Sequence, residues 1–319
     1  MNCIKLYGIK KGASNMGVSV AEYLGQRTDV EFPIIQPIYE RKSCPFTQGN
    51  LCRKLKKKGQ EPVCSVRKED GTLWIVCPDR LCATKKDLDL SLHQSIILLD
   101  IAKHIFDSSV TCNQIFIKRE QRLRVQIDRD YKADFIMTIN NGTSPYPGPN
   151  RVILEMQGGG ETSDTGKLTK VIKDWKNSDI QTNHLLQQLS KASTLETNAW
   201  RRQQEQFIVK GNIAMMTWKG YGMVFCVGTL LFDYLYKKIK HEHLPNLRNH
   251  NWTLALIGIK EDCSNSPAPG PIPLMVDETR LIFTNYQTFV HALINQGEPS
   301  PEAFIGEFIN LNNIHAIIE

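Results

Sequence analysis

Asp134 and the step Glu155-Met156-Gln157 are the residues of this chain best spaced for chemistry. They lie on two stretches rich in β-branched and apolar residues, 133–139 and 151–157, separated by 140–150, which is packed with Asn, Gly, Ser and Pro. Such a pattern reads as strand, turn, strand. A hairpin symmetric about Ser144 and Pro145 sets Ile136 against Ile153 and Asp134 against Glu155. Side chains alternate along a strand, so Glu155 and Gln157 point the same way and Asp134 joins them on one face. Facing carboxylates repel, and a divalent cation between them reverses the sign. The same acids also fit a solvated polar face, and a bulge would change the register. Glu120 falls between strand candidates at 113–119 and 122–128, where it can either reach this face or stand as an exposed turn acid.

The second constellation is made of thiols. Five of the nine cysteines, Cys44, Cys52, Cys64, Cys77 and Cys82, fall between Arg41 and Lys86. This segment has few apolar runs from which to build a core. Four thiolates around zinc or iron can replace one in a small, loop-rich unit. Cys44, Cys52, Cys64 and Cys77 are the expected ligands, with Cys82 as the spare. The first and last of these four each open a Cys-Pro step, and no Cys-x-x-Cys pair is present. Buried free cysteines are the competing account.

The same segment holds 12 Lys and Arg against 4 Asp and Glu, a balance of +8 in a chain of +6, so the remainder is slightly acidic. A patch of that kind suits a polyanion, although a charge run is also how a solvated face looks. Farther on, Arg201, Arg202 and Gln203 ride on a helix expected over 194–207, with Lys210 just beyond it. Arg and Gln are the side chains that pair with guanine and adenine edges, so these four are candidate DNA contacts. A solvated polar helix face fits them too.

The elements that would position these groups follow from periodicity. A helix is expected near 17–24 and an extended stretch at 32–38. A helix over 87–107 is capped by Asp89 or Ser91 and lays Ile97, Ile101 and Ile105 on a sheet. Beyond the hairpin, the pattern predicts a helix at 179–190, strands near 213–217, 223–227 and 252–259, and helices at 230–240, 286–295 and 300–311. Gly158, Gly159 and Gly160 suit either a close backbone approach or a flexible turn.

With 319 residues, 41% hydrophobic and 23% charged, the composition is that of a globular protein. The longest nearly unbroken apolar run, 222–232, is too short to span a bilayer. No secretory leader is evident. A cytoplasmic location without a membrane partner is therefore expected, and in that compartment a disulfide framework is not.

An acid on one strand followed by acid-x-polar on the next, after a helix, is the layout of a PD-(D/E)xK nuclease core, with Gln157 where lysine is usual and Ala133 where proline is. Together with the cysteine segment, the chain resembles the NotI-type restriction endonucleases. The resemblance is carried by Cys44-Pro45-Phe46, Cys52, Cys64-Ser65-Val66, Cys77-Pro78-Asp79-Arg80, Glu120, Asp134 and Glu155-Met156-Gln157, and extends through 198–215. Members of that family also carry Gln in place of the lysine.

The resemblance implies an α/β fold: a mixed sheet flanked by helices over 87–319, preceded by an N-terminal region, 1–86, that holds the tetracysteine metal-binding module. It implies a homodimer that cuts both strands of a palindromic double-stranded DNA site with Mg2+. Asp134 and Glu155 would hold the catalytic Mg2+. Glu120 would serve as a further acid, and Gln157 would position water or phosphate. Structural iron or zinc would sit on the four cysteines. Two other functions fit the same residues: a non-catalytic, metal-stabilised DNA-binding protein, and a nuclease acting on DNA structure or without site preference.

Overall fold

The computed structural model describes residues 16–30, 44–47, 52–56, 61–81, 89–124, 130–140, 147–158, 165–177, 186–192, 196–217, 221–239, 244–295 and 305–318. The first sheet is built from β1 (Met16–Tyr23), β2 (Gln26–Arg27), β3 (Val63–Lys68) and β4 (Leu73–Ile75) in the antiparallel order β2-β1-β3-β4. The helix expected near 17–24 is thus a strand. Val18 and Val20 are buried while Gly17 and Ser19 are half-exposed, a period of two that the short window also permits. The stretch 32–38 lies outside the described residues.

Helix α1 (Leu92–Ile105) opens on a capping box: Gln94 N–H donates to Ser91 Oγ, and Ser91 N–H donates to Gln94 Oε1. Of the two caps offered by the sequence, Ser91 is used. Ile97, Ile101 and Ile105 are buried as the periodicity requires, whereas Leu92 and Ile96 face outward.

The second sheet has six strands. β5 (Ile115–Arg124), β6 (Asp130–Ile139) and β7 (Arg151–Gln157) form an antiparallel meander. The two strand candidates around Glu120 are one continuous strand, β5. After β7 come α2 (Thr165–Lys176), β8 (Ser190–Ala192) and α3 (Glu196–Asn212). Then follow β9 (Gly222–Gly228), α4 (Thr229–Lys238), β10 (Leu254–Glu261), β11 (Leu274–Thr284) and α5 (Tyr286–Ile294). The strand order is β11-β10-β9-β7-β6-β5, with β7, β9 and β10 parallel and the flanking pairs antiparallel. The fold is therefore mixed α/β, with helices on both faces of this sheet. Ile97, Ile101 and Ile105 of α1 pack with Phe135, Met137 and Leu154 on one face. Trp200 and Phe207 of α3, with α4 and α5, pack against Met223, Phe225 and Leu256 on the other.

The small sheet is not confined to the first 86 residues. β8 pairs with β1, and Leu168, Ile172 and Trp175 of α2 pack on Val18, Val20 and Trp74. A later excursion of the chain thus completes the N-terminal unit.

Three other expectations change. Residues 213–217 do not form a strand; they extend α3 as a π-helical turn (Ile213–Thr217), with Ile213 and Ala214 packed on Ile153. The described part of 300–311 is not helical; it holds β12 (Gly306–Ile309), paired with β13 (His315–Ile318). Of the helix expected at 179–190, residues 186–190 form a turn and the start of β8, and 178–185 lie outside the described residues. Strand β11 has no counterpart among the expected elements. Among the described residues no helix is long and apolar enough to cross a membrane.

Candidate active site

The hairpin register is the symmetric one. Ile136 pairs with Ile153 and Phe135 with Leu154, which sets Asp134 opposite Glu155. Each carboxylate is tied to the other's strand: Asp134 N–H donates to Glu155 Oε1 at 3.3 Å, and Met156 N–H donates to Asp134 Oδ2 at 2.9 Å. On the other side of β6, Arg119 pairs with Phe135 and Gln121 with Ala133, so Glu120 stands opposite Asp134. Glu120, Asp134 and Glu155 therefore form one row across β5, β6 and β7. Glu120 adopts a left-handed backbone, φ 43°, in the middle of its strand. Few non-glycine residues do so, and such outliers gather at functional sites.

A fourth group completes the row. Lys210, expected among the DNA contacts, is instead buried, 1% exposed, with Nζ 2.7 Å from Glu155 Oε2. The next residue, Gly211, lies against α5. A Cβ at Gly211 would stand 2.0 Å from the Tyr286 ring, and the Tyr286 hydroxyl donates to the Ile208 carbonyl of α3. Gln157 is half-buried at the end of β7. Arg201, Arg202 and Gln203 lie in the first half of α3, Gln203 being half-buried.

The electrostatics are those of crowded acids. Burial raises the Asp134 carboxyl above its ordinary range; the charge of Glu120 adds to this, while the Met156 N–H and Lys210 oppose it. Burial, and then the neighbouring Asp134, push Glu155 up to about 8 against the pull of Lys210. Carboxylates in this state gain from a bound cation. Asp134 is only half-buried, so the row is reachable from solvent.

Cys44, Cys52, Cys64 and Cys77 also meet, in one buried cluster with Phe46. Three of them open the same single turn. The carbonyls of Cys44, Cys52 and Cys77 accept from Thr47, Leu55 and Arg80 N–H at 3.1, 3.0 and 3.1 Å. Backbone N–H groups face the sulfurs: Phe46 toward Cys44, Asp79 toward Cys77, and Gly25 toward Cys64 at 3.2 Å. Burial pushes the Cys44, Cys64 and Cys77 thiols up, Cys77 to about 11, while the charge of Lys54 draws Cys64 and Cys77 down. None of the four is in a disulfide. Among the described residues no group of three or more His, Cys, Asp or Glu already stands at metal-holding distance. In donor chemistry, four convergent thiols with N–H donors aimed at sulfur fit a thiophilic ion. Cys82 lies outside the described residues.

A buried polar knot adjoins the thiols. Arg80 Nε donates to Glu22 Oε2 at 2.8 Å, both side chains being fully buried. Ser65 Oγ donates to Glu22 at 2.5 Å and Ile272 N–H at 2.7 Å. Arg80 also donates to the Ile272 carbonyl and to His93 Nε2. Burial, with the adjacent guanidinium, pushes His93 down to about 3. The knot thus joins β1, β3, α1 and the loop before β11. Neither it nor the role of Lys210 follows from the expected elements. The available signal is a lysine between apolar residues and a glycine, Val209-Lys210-Gly211, at the inward spacing set by Trp200 and Phe207. The chain matches no protein-family model, and no curated protein resembles it at a significant level.

Proposed function

We propose that this chain is a Mg2+-dependent, sequence-specific deoxyribonuclease of the PD-(D/E)xK kind, similar to the NotI-type restriction endonucleases. The observation that carries the proposal is the row Glu120, Asp134 and Glu155 across three adjacent strands, with the buried Lys210 Nζ at its end. Phosphodiester hydrolysis joins a water oxygen to phosphorus and breaks one bond from phosphorus to a sugar oxygen. The water gives up a proton and the leaving oxygen takes one. A divalent cation, when bound, would screen the phosphate charge and lower the pKa of a water molecule. Asp134 and Glu155 would hold it, with Glu120 as the third acid. The neutral amide of Gln157 would orient water or a phosphate oxygen by hydrogen bonding. The four cysteines would hold structural iron or zinc, and the basic segment 41–86 would grip phosphates while base edges set the sequence. A homodimer acting on a palindromic site would bring one row to each strand.

The test is incubation of the purified protein with a long duplex of known sequence, with Mg2+ and with chelator. Discrete Mg2+-dependent fragments are the expected result, and Asp134→Ala and Glu155→Ala should bind the duplex without cutting it. A smear would point to a nuclease without site preference. Retarded but intact DNA across several unrelated duplexes would point to a binding protein.

A further inference from the structure

We propose that Lys210 supplies the positive charge that the strand motif lacks: a helix, in place of the residue two positions after Glu155, provides the lysine of the site. The inference rests on the nuclease reading above and deepens it. Gln157 is neutral and cannot balance the acids on its own face. Lys210 comes from α3, 53 positions along the chain, yet its Nζ lies 2.7 Å from Glu155 Oε2 and its charge is felt at Asp134.

Stability alone does not explain a lysine here. A buried ion pair is commonly no better for stability than apolar side chains of the same volume, because both charges lose their hydration. Methionine would fill the space beneath α3 without that cost. The neighbouring Gly211 lies against the Tyr286 ring with no room for a Cβ, which fixes α3 closely beside α5 at this point. Among the described residues its one hydrogen bond is to Glu155. Nζ is enclosed, so it acts on water or a phosphate oxygen through the Glu155 carboxylate that it holds. Lys210 is on this account a positioning residue. It fixes the Glu155 carboxylate in one orientation and keeps a positive charge behind it, the arrangement by which preorganised sites lower a barrier.

The experiment compares the unaltered protein, Lys210→Met, and an exchange variant carrying Lys210→Gln with Gln157→Lys, using the duplex that the unaltered protein cuts. Lys210→Met is expected to fold, to bind that duplex in Ca2+ with affinity within about threefold, and to lose roughly 100-fold or more in kcat at saturating Mg2+. The exchange variant is expected to recover at least tenfold of that loss, because the charge returns on the same face. Cutting by Lys210→Met at the normal rate overturns this proposal and leaves the nuclease reading standing. So does a rise in Kd that matches the fall in rate, which would make Lys210 a binding or structural residue. If Lys210→Met does not fold, the exchange variant decides: activity within tenfold of normal supports the proposal, and its absence in a folded protein overturns it. If the unaltered protein cuts no duplex at all, the nuclease reading falls and this proposal falls with it.

Discussion

Gly158 and Ile75 touch backbone to backbone: a Cβ on Gly158 would stand 2.4 Å from the Ile75 carbonyl oxygen. Gly158 directly follows Gln157 at the end of β7, and Ile75 ends β4 two residues before Cys77. The strand that bears Glu155 and the strand that leads into the thiol cluster therefore meet without a side chain between them. Backbone cannot swing aside as a flexible side chain can. Gly158→Ala should cost about 1–3 kcal/mol, read as a lower urea midpoint, and should reduce cutting by displacing β7.

Removing Arg80 should be among the most damaging single changes. Among the described residues it would leave the buried Glu22 carboxylate with Ser65 and the Ile272 N–H as its partners. Stranding one member of a buried pair costs about 3–5 kcal/mol. Arg80→Met should lose that much in urea unfolding, and Arg80→Met with Glu22→Gln should lose less than Arg80→Met alone. Equal losses would mean that the glutamate is not the stranded charge.

The pH dependence has a definite sign. Glu155 has an ordinary pKa of 4.5, raised to about 8 in the fold. Between those values the folded chain keeps a proton that the unfolded chain has released. Without metal, stability should therefore fall as pH rises through that window and level off above it, with a slope of at most about 1.4 kcal/mol for each step of one in pH. Glu155→Gln should flatten the curve. If Glu155 holds Mg2+ as proposed, binding displaces the same proton, so the affinity, followed by calorimetry, should rise with pH across the window.

Cys64 is buried, with the Gly25 N–H on its sulfur. On the proposal that the four thiols hold iron or zinc, Cys64→Ala should lower the metal content of the purified protein, measured by elemental analysis, and should melt the basic unit at a lower temperature than the remainder. Unchanged metal content and activity would show that the ligand set is wrong.

The Asp134 and Glu155 pair is legible in the sequence because it rests on strand alternation and one symmetric turn, whereas Glu120 reads equally as an exposed turn acid until 115–124 is seen as one strand. Local pattern is enough to pair Ile136 with Ile153. Ser91 is likewise readable as a cap, since a capping box is written in four consecutive residues. The burial of Lys210 against Glu155 is not legible in the sequence. The lysine's position depends on how α3 packs on the sheet through Trp200 and Phe207 and on α5 through Gly211 and Tyr286, contacts distant in sequence. The strand at 16–23 reads as a helix from its own residues because its hydrogen bonds come from β3 and β8, which no local window contains. The same holds for 213–217, where the end of α3 outweighs a strand-like composition.

Glu120 shows where fold and chemistry pull against each other. Its left-handed backbone costs on the order of 1–3 kcal/mol for any residue with a side chain, and glycine would adopt it freely. The substitution that should most easily raise the melting temperature at this point is thus the one that deletes an acid from the row. Selection for hardiness alone would remove the glutamate, and on the proposed nuclease reading selection for turnover would keep it. Thermostable descendants of this chain should therefore gain their stability elsewhere and leave position 120 acidic.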